Sequence, residues 1–128
     1  MFAVEFDDSL SVEALLRAAV VFKFSKGSEA DIYVGSPRYA AALRAMLEAV
    51  VAGRMAASDP ESAEGWRKAY RLSAHRERWQ MVAAYVQRHP DWGFMSEEEA
   101  AGWVSVVASP YWLSESETRR MAGLGEAS

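Results

Sequence analysis

The sequence predicts an α+β domain in which a small three-stranded sheet, formed by the N-terminal third of the chain, packs with about five helices. Three observations lead to this fold class. Apolar residues alternate near the N-terminus, two short β-branched and aromatic runs follow, and helix-start signals recur after residue 35. The 128 residues, 51% hydrophobic and 25% charged, are typical of one globular domain.

The predicted sheet is built from three short segments. Residues 2–6 place a phenylalanine or valine at every second position, as in a strand with one buried face. Residues 20–24 and 31–34 are predicted to pair as a hairpin, because residues 25–28 have turn composition. A two-turn helix over residues 12–18 is expected between the first strand and the hairpin.

Each predicted helix after residue 35 begins with a serine that can accept a hydrogen bond from first-turn backbone. The four serines are Ser36, Ser58, Ser96 and Ser114. Proline follows the first, and glutamate stands three residues after each of the others. Gly53 and Gly123 are the expected stops of the first and last of these helices. Residues 1–123 are therefore predicted to be one domain, and residues 124–128 a frayed tail.

Charge is distributed unevenly along the chain. Residues 66–88 contain six bases and Glu77 as their one acid, whereas residues 1–65 and 89–128 have net charges of −4 and −5. One helix is predicted across the basic segment, with a buried side made of Leu72, His75, Trp79, Val82 and Val86. Beside it, a positive stripe would hold Arg67, Arg71 and Arg78.

The stripe has two interpretations. Its arginines could pair with glutamates of the helix that starts after Ser96, or remain solvated. Alternatively they contact a partner, since Trp, Tyr and Arg are enriched at binding hot spots. Eight residues are the candidate partner contacts: Trp66, Arg67, Tyr70, Arg71, Arg78, Trp92, Tyr111 and Trp112. Because three of them are arginines, an acidic partner is the expected one.

The predicted function is non-catalytic protein binding, by a small regulator, inhibitor or immunity-type protein that occupies a partner's surface. Nucleic acid bound by residues 66–88 is an alternative, although the acidic flanks would repel a polyanion. A small hydrolase or nuclease using Asp7 and Asp8 is a further alternative, although aspartates commonly form turns. The sequence leaves the oligomeric state open.

No catalytic residue, cofactor or metal site is predicted. The glycine patterns of phosphate-binding loops are missing, cysteine is missing, and the two histidines lack a ligand spacing. His75 is expected to pack on the apolar side of its helix, and His89 to follow a helix C-terminus. The acidic N-terminus and the lack of a roughly 20-residue apolar run favour a cytoplasmic location away from membranes.

Overall fold

The computed structural model describes residues 4–6, 8–25 and 27–123, and this part of the chain is all-helical. It contains α1 (Ser9–Lys23), α2 (Ser28–Val34), α3 (Pro37–Ala56), α4 (Pro60–Ala69), α5 (Arg76–Val86), α6 (Glu97–Ala108) and α7 (Glu115–Met121). Two 3₁₀ turns, Leu72–Ala74 and Trp92–Phe94, precede and follow α5. No β-strand occurs among these described residues, so the predicted α+β class with a three-stranded sheet is wrong.

The first predicted hairpin arm is the end of α1. Val20 belongs to a buried stripe at helical spacing that also contains Glu13, Leu16 and Lys23. Glu13 is paired with Arg54 of α3, which allows its carboxylate to be buried. Two of these four residues are charged, and charged side chains are rarely buried. The sequence therefore did not show an apolar stripe at helical spacing, and the apolar run at residues 20–24 was predicted to be a strand.

The other predicted sheet segments also differ in the structure. Residues 31–34 belong to α2, in which Ala30 and Val34 are buried one turn apart. Of the expected first strand, residues 4–6 have no regular structure, and residues 1–3 lie outside the described part. The predicted tail, residues 124–128, lies outside it as well.

Three of the four serine start signals are confirmed. The side chains of Ser36, Ser96 and Ser114 accept hydrogen bonds from the backbone of the first turns of α3, α6 and α7. The α4 helix is capped by Asp59 rather than Ser58, and α3 continues past Gly53 to Ala56. Gly53 was therefore wrongly predicted as a stop.

The hydrophobic core extends from Leu16 in α1 to Met121 in α7. The long α3 helix contributes a buried side to it and packs against both α1 and α4. On α6, Val104 and Val107 are fully buried, and they bring this helix against α5 and α3. The pairing of α3 with α4 is the contact that shapes the surfaces described below.

A close contact at Gly35 predicts a large effect of a small substitution. Gly35→Ala is expected to lower the free energy of unfolding by about 1–3 kcal/mol. The added Cβ would lie 2.8 Å from Cη2 of Trp103, whose indole is held by a 3.0 Å hydrogen bond from Nε1 to the carbonyl of Val86. Urea denaturation measures the change. Gly102→Ala is the control, because open space surrounds that helical glycine, and a small gain is expected there.

Within the described ranges, no helix combines the length and the apolar character that crossing a bilayer requires.

Candidate binding surfaces on the two sides of α4

The predicted arginine stripe does not exist as one surface, because the chain breaks between α4 and α5. Tyr70 ends α4, and the backbone of residues 70–72 pairs with Trp112 through hydrogen bonds of 2.9 and 3.0 Å. The helix resumes only at Arg76. The prediction of one continuous helix over residues 66–88 is therefore wrong, and its arginines point to different parts of the molecule.

Arg71 and Arg78 both contact residues of this chain. The guanidinium of Arg71 lies 3.4 Å from the carboxylate of Glu117 and 5.2 Å from the centre of the Trp112 ring. Arg78 donates to the carbonyl of Phe24 at 3.2 Å and lies over the Phe24 ring. Neither arginine pairs with a glutamate of α6, and neither is fully solvated, so both predicted alternatives are wrong for Arg71 and Arg78.

A groove lies on one side of α4, with a volume of about 960 Å³. We call it the α3–α4 groove. Its apolar lining consists of Leu47, Val51, Ala52, Met55, Pro110 and Trp112. Four charged residues complete it: Arg44 and Glu48 from α3, and Glu64 and Arg67 from α4. Two of the predicted contacts, Arg67 and Trp112, are therefore brought together here.

Trp112 is both held in place and accessible. Its Nε1 donates to the carbonyl of Arg67 at 2.8 Å, and the Arg71 guanidinium covers part of its ring. The side chain nevertheless stays 40% exposed, and Met55 across the groove is 55% exposed. An aromatic residue whose rotamer is already fixed loses little side-chain entropy when a partner covers it.

A second surface, the aromatic cleft, lies on the other side of α4 and has a volume of about 490 Å³. Trp66 and Tyr70, one turn apart on α4, have nearly parallel rings with centres 6.1 Å apart. Tyr111 lies 5.2 Å from Tyr70, and Arg17 of α1 lies over the Trp66 ring. Three more predicted contacts, Trp66, Tyr70 and Tyr111, are thus collected at this cleft.

Polar groups also line the aromatic cleft. Burial raises the pKa of Tyr70 and the neighbouring Tyr111 adds to the rise, while Arg17 opposes it. His75 is half-buried at the position before α5 rather than on a helix face, with its ring against Tyr111. Its Nε2 contacts the carbonyl of Ala69, which can only accept, so Nε2 carries the hydrogen.

Trp92, the remaining predicted contact, lies in neither surface. It packs half-buried against the core in the turn after α5. His89 nearby accepts a hydrogen bond from the backbone N–H of Asp91 and lies against Trp103. Packing against the core accounts for Trp92, and the ring contact with Trp103 accounts for His89, without a ligand.

The sequence patterns did not indicate that one lysine, Lys23, is buried. The Lys23 side chain is fully buried, and its Nζ donates to the carbonyls of Val106 and Ser109 at 2.9 and 2.6 Å. Among the described residues no carboxylate pairs with it. Burial lowers the pKa of Lys23 to about 7, and the Arg44 guanidinium adds to the lowering. An uncharged amine has two N–H donors, the same number as the carbonyls it meets.

Asp8, one of the two aspartates near the N-terminus, caps a helix. The Asp8 side chain accepts from the backbone N–H of Ser11 at 2.8 Å and thereby caps α1. Asp7 lies outside the described residues. In the described ranges, no three side chains of the metal-binding types come together.

No protein-family model, curated protein or solved structure matches the chain. The chemistry of the two surfaces beside α4 is therefore the basis for proposing a function.

Proposed function

We propose that this chain is a non-catalytic protein-binding module, a small cytoplasmic regulator, inhibitor or immunity-type protein, and that the α3–α4 groove receives an amphipathic helix of its partner. One observation supports this most directly. Trp112 is fixed by a hydrogen bond and a cation–π contact, yet it stays 40% exposed beside an apolar groove. Rigid, accessible tryptophans of this kind are typical hot-spot residues.

The dimensions of the groove favour a helix as its occupant. The α3 residues that line it run from Arg44 to Met55 at spacings of three and four, so they share one face of that helix. At 1.5 Å per residue this face extends about 16 Å. That length corresponds to three turns of an added helix, whose apolar residues would meet Trp112 and Met55.

The charges at the groove define the partner further. Arg44 is engaged within the chain, because it donates to the Ser109 hydroxyl at 2.7 Å. Arg67 has no ion-pair partner among the described residues and lies beside Trp112. Glu48 and Glu64 of the groove likewise have no ion-pair partner among the described residues. We therefore propose that the partner helix carries an acidic residue next to its apolar anchors, to meet Arg67, and basic residues where it passes the two glutamates. The acidic partner surface of the sequence-based hypothesis is thereby reduced to one acidic residue opposite Arg67.

A peptide selection tests the groove. A displayed library of amphipathic helices of about 12 residues is selected on the immobilised chain, and the selected peptides are titrated by calorimetry. Met55→Glu and Trp112→Ala are each expected to weaken binding at least about tenfold, as loss of a hot spot does. Phe94→Glu is the matched control, because Phe94 is 90% exposed and lies outside the groove.

Circular dichroism of the three variants establishes that each is folded before binding is compared. Peptides that bind Met55→Glu as tightly as the unaltered chain would place the interface elsewhere and contradict the proposal. Self-association that Met55→Glu abolishes would also contradict it, because the occupant would then be a second copy.

A further inference from the structure

The aromatic cleft on the other side of α4 has no role in the proposed protein binding. The cleft forms because the face of α4 that carries Trp66 otherwise has only small residues, which leave space beside the indole. These residues are Ser62, Gly65 and Ala69. A Cβ built on Gly65 would meet no atom within 4 Å, so this wall is open. The cleft volume of about 490 Å³ lies in the range of small-molecule sites.

Three polar side chains of the cleft, those of Arg17, Tyr70 and Tyr111, have neither an ion pair nor a side-chain hydrogen bond within the described part of the chain. Arg17 contacts the Trp66 ring but forms no ion pair there with a carboxylate. The hydroxyls of Tyr70 and Tyr111 have no hydrogen-bond partner among the described residues, and both side chains are largely buried. One cation and two phenol donors therefore border an aromatic-walled space.

We propose that the aromatic cleft binds a planar aromatic carboxylate. The ligand ring packs against the open side of the wall that Trp66, Tyr70 and Tyr111 form together, while its carboxylate meets the Arg17 guanidinium and accepts from the tyrosine hydroxyls. A single guanidinium balances the single charge of a carboxylate. A phosphate monoester would bring a second negative charge, whereas Arg17 is the one arginine or lysine among the described residues that line this cleft.

Arg17 is suited to this role because its position is already restricted. Its contact with the Trp66 ring, 5.1 Å from the guanidinium carbon to the ring centre, reduces the rotamer freedom that binding would otherwise remove. The site shares no lining residue with the α3–α4 groove. The proposal is therefore independent of the proposed protein binding.

The test uses 2-naphthoate as the probe and follows backbone amide shifts by NMR. Binding is expected to shift the amides of α4 and of residues 75 and 111. Arg17→Gln is expected to weaken binding about tenfold or more, because a charge-assisted hydrogen bond is lost. Gly65→Leu is expected to abolish binding by filling the cleft. Gly102→Leu is its matched control, since Gly102 is also helical with open space around it, and affinity should not change.

Three ligand analogues test separately the negative charge, the planar ring and the choice of carboxylate over phosphate. Neutral 2-naphthamide and non-planar cyclohexanecarboxylate are each expected to bind at least about tenfold more weakly than 2-naphthoate. The proposal is overturned if 2-naphthoate causes no shifts at millimolar concentration, if the amide binds equally well, or if Arg17→Gln leaves affinity unchanged. Tighter binding of 2-naphthyl phosphate would assign the cleft to phosphate esters and overturn the carboxylate assignment.

Discussion

Replacing Lys23 with methionine is expected to flatten the dependence of stability on pH above neutrality. In the folded chain the pKa of Lys23 is about 7, against an ordinary value of 10.5. Between these values the unfolded chain binds more protons than the folded chain, so the free energy of unfolding rises with pH. From pH 7 to pH 9.5, Lys23 contributes about 3 kcal/mol to this rise. Urea denaturation across that range measures it.

The slope, rather than the stability at one pH, is the informative quantity. Lys23→Met also leaves the carbonyls of Val106 and Ser109 without a donor, and that cost offsets the benefit of removing a buried amine. Lys68→Met is the matched control, because Lys68 is exposed on α4, and the rise in stability should persist in it. A Lys23→Met variant with an undiminished rise would contradict the buried neutral amine.

Glu117→Gln is expected to lower the free energy of unfolding by about 2–3 kcal/mol at pH 7. Burial alone would raise the pKa of Glu117. The backbone N–H of Ser114, the hydroxyls of Ser73 and Ser114 and the Arg71 guanidinium outweigh that effect and lower the pKa to about 2. The ionised carboxylate thus stabilises the fold above its ordinary pKa of 4.5, and this contribution is lost as pH falls toward 2.

The control for Glu117 is the equivalent residue of another helix. Glu99 occupies the same capping-box position on α6, but its side chain is exposed. Glu99→Gln should therefore change stability much less than Glu117→Gln when both are measured by chemical denaturation. Equal effects of the two substitutions would mean that capping alone, and not the buried contacts with Arg71 and Ser73, stabilises α7. The deficit of Glu117→Gln should also shrink as the pH approaches 2.

The local signals of helix initiation could be predicted from sequence because they depend on neighbouring residues. The caps at Ser36, Ser96 and Ser114 involve atoms within three or four positions of each other. The fold class could not be predicted in the same way. Short apolar runs such as residues 20–24 suit a strand or a helix, and the buried charges of Glu13 and Lys23 concealed the helical stripe.

Most residues of the candidate surfaces could be predicted from the sequence, but their division between two separate surfaces could not. Trp66 and Arg67 are adjacent in sequence but face opposite sides of α4, and Tyr111 and Trp112 are divided between the same two sides. The break after Tyr70 has no proline or glycine to mark it, since it follows from backbone pairing with Trp112, more than forty residues away. Sequence patterns within one helix carry no information about such pairing.

The burial of Lys23 also affects the order in which the chain can assemble during its synthesis. Its two acceptors are 83 and 86 residues further along the chain, so α1 leaves the ribosome long before they exist. Until α6 has emerged, burying the apolar stripe of α1 would strand an amine without acceptors, at a cost of several kcal/mol. The nascent α1 therefore keeps its lysine in water. Tight packing of the core waits until the chain has been synthesised past Ser109.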